Sequence, residues 1–246
     1  MKKANIIWMY PLCTMVIFLM FLSISFKSIA QDSSETVKDI DGNVYKTVKI
    51  GTQIWMAENL KTTKFKDGTN IPLVIDDTIW SNPTPAFCYL NNNQGFREIY
   101  GALYNWYAAS SGNLCPVGWH LPSNAEWNTL IKYLTDNGYG YEGNGSDIAK
   151  SMAATSGWLS NSTAGNVGND QASNNRSGFT ALPGGCRWGV GKFQPPLLGY
   201  WWSSTERDKD AATGYILVHS SSTVGSLDMF NKGTGFSVRC VKDNDN

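Results

Sequence analysis

The sequence predicts an α+β domain, because strand-like alternation near both ends encloses a strongly marked amphipathic helix. Three observations carry this. Asp41-Gly42 separates two β-prone runs in the manner of a tight hairpin. Ser123 and Glu126 have the spacing of a capping box, and Trp127, Leu130, Ile131 and Leu134 behind them fall on one helical face. Near the C-terminus, Tyr215, Leu217 and His219 alternate with Ile216, Val218 and Ser220, so each set lines one face of a strand.

The elements follow in order. Lys2 and Lys3 precede an uncharged, nearly all-apolar stretch from Ile6 to Phe26, and Ser28-Ile29-Ala30 places small residues at −3 and −1. Residues 1–30 are therefore expected to be a signal peptide cleaved before Gln31. The apolar run is long enough to serve as a retained anchor instead, and the small-residue site favours cleavage. Residues 31–36 form a polar leader, and 37–243 a single domain. Strands are expected from Val37 to Glu58, with Val44, Val48 and Ile50 alternating with polar residues. Pro72, Pro83 and Pro85 mark 61–95 as mostly loop, with short strands near Ile71 and over 87–89.

Residues 100–109 read as a helix, since Leu103, Trp106 and Tyr107 fall at helical spacing. The capped helix runs from Ser123 to its stop at Asn137-Gly138. A short helix is expected over 146–154, and a long Ser/Asn/Gly-rich surface excursion over 156–178. Strands return at 178–182, 200–203, 215–221 and 235–242. No solenoid repeat is visible.

Loss of residues 1–30 removes three lysines and no acid, leaving 17 Lys+Arg against 20 Asp+Glu, a net charge of −3. No basic patch is visible, so nucleic acid is not expected as a partner, and a membrane is expected only through the signal segment. Cys88, Cys115, Cys186 and Cys240 remain in the domain. In an oxidising compartment they allow two disulfides in three connectivities, or four buried thiols. Gly138, Gly140 and Gly143 match a dinucleotide pattern, but they follow a helix where that motif needs a preceding strand. Asp39, Asp41 and Asn43 resemble part of a calcium loop that lacks its closing Glu, and read better as a hairpin turn.

Several stretches together resemble the Fibrobacter succinogenes major paralogous domain family. They are Asp41-Gly-Asn-Val-Tyr45, Ile54-Trp-Met-Ala-Glu-Asn-Leu60, Leu114-Cys-Pro-Val-Gly-Trp-His-Leu-Pro-Ser-Asn-Ala-Glu-Trp127, Gly178-Phe-Thr-Ala-Leu-Pro-Gly-Gly185, Tyr200-Trp-Trp-Ser-Ser-Thr-Glu206 and Gly235-Phe-Ser-Val-Arg-Cys-Val241. The resemblance covers nearly all of 37–243 and implies an exported bacterial protein of a family with no established activity. Gly118–Trp127 and Gly235–Cys240 are also similar, more distantly, to segments of the formylglycine-generating, sulfatase-modifying enzymes. That similarity implies a C-type-lectin-like core with short helices and a twisted antiparallel sheet carrying long loops. It further implies a long-range bridge between Cys115 and Cys240, with Cys88 and Cys186 as the second pair.

The chemistry of these relatives does not carry over. The copper site of the formylglycine-generating enzymes needs a close cysteine pair, whereas Cys186 and Cys240 lie 54 positions apart. The iron-dependent members need several histidines, and only His120 and His219 are present. Calcium-dependent lectins need an acid-Pro-Asn or Gln-Pro-Asp loop with a Trp-Asn-Asp strand; here the nearest match is Gln194-Pro195-Pro196. No catalytic residue, metal or cofactor is therefore expected.

Nine tryptophans remain in the domain. Most are expected in the core, but Trp158 and Trp188 sit in Gly/Ser/Asn-rich surroundings. Trp201 and Trp202, adjacent in a strand, must face opposite ways, which suggests that one of them is exposed. The expectation is a non-catalytic surface or secreted binding module, with a glycan or protein held by Trp158, Arg187, Trp188, Gln194 and Trp201 or Trp202. The alternatives are an enzyme with a rearranged site on the formylglycine-generating fold, or a structural envelope component.

Overall fold

A computed structural model describes residues 35–244. The expected signal segment lies outside the described residues, as does most of the leader, whose last residue, Thr36, already begins a strand. The described residues form one α+β unit of short helices and curled antiparallel sheets. No helix among them is long and apolar enough to cross a membrane.

The first sheet opens with β1 (Thr36–Lys38), β2 (Val44–Ile50) and β3 (Gln53–Met56). Asp39 closes the predicted hairpin: one carboxylate oxygen accepts from the Asn43 backbone, the other from the Asn43 amide and the Tyr45 hydroxyl. β2 is covered on both faces: Tyr45 packs in one core, Val48 and Ile50 on the opposite face pack in the other, and Val44 is exposed. The aliphatic alternation located the Val48–Ile50 face and missed the other, because Tyr45 and Thr47 bury hydroxyls that find partners in Asp39 and the Glu35 carbonyl.

Segment 61–95 holds α1 (Asp77–Trp80) and β4 (Phe87–Cys88), with only isolated bridges around Ile71. The helix expected over 100–109 is broken. α2 (Arg97–Tyr100) ends at Gly101, where φ is +76° and a Cβ would sit 2.8 Å from the Leu60 carbonyl oxygen. The chain then forms β5 (Leu103–Tyr104), and Asn105 caps α3 (Trp106–Ala109) by accepting from the Ala108 N–H. β6 (Trp119–His120) leads into α4 (Asn124–Asp136), which carries the predicted capping box in full. Trp127, Leu130 and Leu134 are its buried face.

α5 (Ala149–Met152) is shorter than expected, and 156–178 is irregular. The strand expected at 178–182 does not form: Gly178 and Thr180 both adopt positive φ, which a ladder cannot accommodate. β7 (Cys186–Arg187) and β8 (Phe193–Gln194) make a small hairpin. β9 (Leu198–Glu206), β10 (Ala211–Val218) and β11 (Gly225–Asn231) form the second sheet in the order β11-β10-β9. β11 was not foreseen, because only one of its residues, Phe230, is buried.

The strand expected over 235–242 is regular only in β12 (Val241–Lys242), which pairs with both β3 and β6 and so joins the two ends of the domain. The preceding residues are extended but bridge singly to different partners: Gly235 to Arg187, Phe236 to Tyr104 and Ser237 to Trp201. Their backbone bonds are spread over several elements, so no ladder results.

The second sheet is covered on both faces. Tyr200, Trp202, Phe230 and Phe236 belong to one core; Trp201, Tyr215, Trp127 and Trp55 belong to the other. In the second core Trp127 stacks on Tyr215 at 4.5 Å and meets Trp55 at 4.9 Å.

Candidate functional site

Most of the residues expected at a ligand site lie in the interior. Trp201 and Trp202 do face opposite ways, but both are fully buried because each face of the sheet carries a core. Their indole N–H groups donate inward, Trp201 to Asn59 Oδ1 at 2.9 Å and Trp202 to the Tyr104 carbonyl at 2.9 Å. Trp158 is also buried: Gln171 accepts from its backbone N–H and donates to its carbonyl, turning the indole into the second core.

Arg187 is a strut rather than a ligand residue. Fully buried, it donates to the carbonyls of Val74, Ile75 and Gly191 and to Asp77 Oδ1 at 2.8 Å. Its guanidinium stacks on Trp80, 4.4 Å from the ring centre. Gln194 accepts from the Tyr200 hydroxyl at 2.9 Å and from the Cys186 thiol, so its oxygen is occupied.

Cys115 and Cys240 are bonded, with Cα atoms 6.0 Å apart. The pairing of Cys88 with Cys186 is corrected: both are free, buried thiols. Cys88 lies in a small core with Trp80 and Leu103, whereas Cys186 faces the core containing Tyr200. Burial pushes each thiol up to about 12, which keeps both protonated and unreactive at neutral pH.

Trp188 is the most exposed of the nine described tryptophans, half-buried where the other eight are buried. Its position follows from the β7–β8 hairpin. The Trp188 N–H donates to the Lys192 carbonyl, and the Gly191 N–H returns to the Trp188 carbonyl, both at 2.7 Å. Gly191 adopts φ +89°, and a Cβ there would lie 2.4 Å from Asp77 Cβ, so only glycine lets the turn sit against α1. Arg187 then clamps this turn to residues 74–77 from beneath. The Arg187 hydrogen bond also holds the Asp77 carboxyl below the usual range.

The result is a groove of about 370 Å³ between the turn, the end of α1 and β11. Trp188, Val190, Met229 and Phe230 supply apolar surface; Ser81, Asn231 and Thr234 supply polar groups. Val190 and Met229 are 72% and 62% exposed, which makes this an open apolar patch at a concave site. Sequence reasoning named Trp188 but missed Val190, Met229 and Thr234. Each is separated from Trp188 by a turn or by a strand that had not been recognised.

His120 forms a second polar cluster. Its Nε2 lies 2.7 Å from Glu126 and its Nδ1 2.5 Å from Asp243. Burial opposes the ring's charge, yet the hydrogen bonds to Asp243 and Glu126 outweigh it and raise the pKa above the usual value. A ring with both nitrogens on carboxylates donates twice. Although His120 and Ser204 line the same cleft of about 260 Å³, no imidazole nitrogen is free to take a proton from the serine. The acidic turn at 39–43 has likewise spent its carboxylates on local donors. Among the described residues, no group of three or more His, Cys, Asp or Glu side chains is placed to hold a metal ion.

No curated protein and no solved structure matches this chain. The family model of the Fibrobacter succinogenes major domain matches residues 48–242, most of the chain and nearly all of the described fold. The chain belongs to the Fibrobacter succinogenes major domain family.

Proposed function

We propose that this protein is an exported, non-catalytic binding module of the cell surface or the secreted fraction, and that its contact surface is the Trp188 groove. One observation carries the reading: a half-buried tryptophan at the edge of the core stands beside exposed Val190 and Met229, on a turn fixed from below by a fully buried arginine. A rigid aromatic anchor on a pre-formed surface recognises a partner at low entropic cost. The ligand class at this level is a glycan or a protein.

Export is supported by the leader's charge and small-residue pattern, and the Cys115–Cys240 bridge agrees with an oxidising compartment. We read the core as C-type-lectin-like. Supporting this are the shared terminal sheet, the capped helix after the first strands, the long irregular loops and the bridge from the helical unit to the last strand.

A glycan array and a pull-down against envelope proteins, each run with wild type and with Trp188→Ala, test the binding role. Retention of a ligand by the wild type and its loss in the variant is the expected result. Binding that the variant leaves intact overturns the assignment of the groove.

A further inference from the structure

The lining of the groove narrows the ligand further, given the reading of it as the binding surface. None of Ser81, Trp188, Gly189, Val190, Met229, Phe230, Asn231 and Thr234 carries a charge. The charges beside it are paired: Asp77 with Arg187 at 2.8 Å and Lys192 at 3.4 Å, Asp228 with Arg207 at 3.8 Å, and Lys232 with Glu206. A charged ligand entering this groove would lose hydration and meet no counter-ion among the lining residues.

The polar groups are nevertheless not spent. Thr234 is 98% buried in place, being 2% exposed, and its hydroxyl has no hydrogen-bond partner among the described residues. The Asn231 oxygen accepts from the Gly233 N–H, which orients the amide while its NH2 donates to no described residue. The Trp188 indole N–H is also without a described acceptor. An oriented amide, a hydroxyl that both donates and accepts, and an indole N–H thus edge an apolar floor of Trp188, Val190 and Met229. Ligands with hydroxyl groups around one apolar C–H face match that layout.

An extended peptide fits less well. It would have to add to the free edge of β11, but the ladder slips between Ala212 and Gly214, so that Asp228 and Met229 together oppose one residue of β10. A bulge there interrupts the regular row of backbone donors and acceptors that strand addition needs.

We infer that the groove binds a neutral saccharide, with a pyranose ring stacked on Trp188 and its hydroxyls bonded by Thr234 and Asn231. Because Trp188 is the most exposed of the described tryptophans, the difference in emission between wild type and Trp188→Phe reports on occupancy. The purified protein is titrated with cellohexaose, maltohexaose and mannohexaose, with hexagalacturonate as an anionic probe, and with a neutral synthetic peptide library.

At least one neutral hexasaccharide is expected to shift Trp188 emission and to protect it from acrylamide quenching. Trp188→Ala should weaken that binding by about tenfold or more. Thr234→Val, which keeps shape and the backbone bond, should weaken it about three- to tenfold with the melting temperature unchanged. Should Trp188→Ala fold poorly, Trp188→Phe keeps the ring and Thr234→Val still removes the hydroxyl. Trp188-dependent binding of hexagalacturonate alone or of peptides alone overturns the neutral saccharide and leaves the groove standing as the binding surface. No Trp188-dependent binding of any probe overturns both.

Discussion

The 156–178 excursion and the 186–194 hairpin are alike in composition, each Gly-rich, polar and carrying one tryptophan, yet the first buries its tryptophan and the second leaves its own half-buried. Both are organised by a buried cation. Lys150, in α5, sends its ammonium under the excursion to the carbonyls of Asn169 and Asp170 and to Asn174 Oδ1 at 2.8 Å. Asn174 in turn donates to the carbonyls of Ala154 and Val167. The loop is thereby drawn down over the second core, and Trp158 and Val167 go with it. Arg187 instead ties the turn of its hairpin, through the Gly191 carbonyl, to residues 74–77 and leaves Trp188 half-buried at the edge of the first core. One cation draws its loop over a core and the tryptophan with it; the other holds its turn against α1 and leaves the tryptophan at the core's edge.

The largest test of this contrast sets the two tryptophans against each other. Trp158→Ala should lower unfolding stability by about 3–5 kcal/mol, as a large buried side chain does. Trp188→Ala should cost less, about 1–3 kcal/mol, since part of its area is already wet. Denaturant melts of the two variants measure both, and equal costs would erase the distinction.

Next come the cations. Arg187→Leu and Lys150→Met should each cost about 2–4 kcal/mol, because each strands several buried oxygens without a donor. Their local signatures should differ. Amide exchange should rise across 156–178 in Lys150→Met and across 74–77 and 187–193 in Arg187→Leu. Exchange that rises in the other loop would show that the two are coupled.

The smallest effect concerns His120, which belongs to neither loop and gauges the background. Its folded pKa is raised, so the stability it contributes is fully present below the ordinary histidine value and is lost as pH rises through the folded one. With the side chain 40% exposed, solvent screening holds this to less than about 1 kcal/mol. The melting temperature of wild type should fall slightly across that window, and His120→Gln should flatten this part of the curve. A wild-type profile that rises there would contradict the assignment.

What the sequence disclosed was mainly local. The Ser123–Glu126 capping box needs only three residues of spacing and was legible in full. The Asp41-Gly42 turn and the cores of β9 and β10 were equally plain. The helix expected over 100–109 failed because apolar spacing cannot see Gly101 packed against a distant carbonyl. β11 was invisible because a strand exposed on nearly all its residues has no hydrophobic alternation to read. Of the site, Trp188 and its supporting Arg187 could be named, but not their division into display and support.

The sequence by itself determined the α+β class, the family, the capped helix and the strand in which Trp201 and Trp202 face opposite ways, because these depend on neighbours a few positions apart. Only the tertiary structure decided that both faces of that strand are covered, that Cys88 and Cys186 stay apart in different cores, and that Trp188 remains at the surface. Each of these depends on which distant segment arrives to fill a given space. Burial is a property of that encounter, and composition along the chain does not encode it.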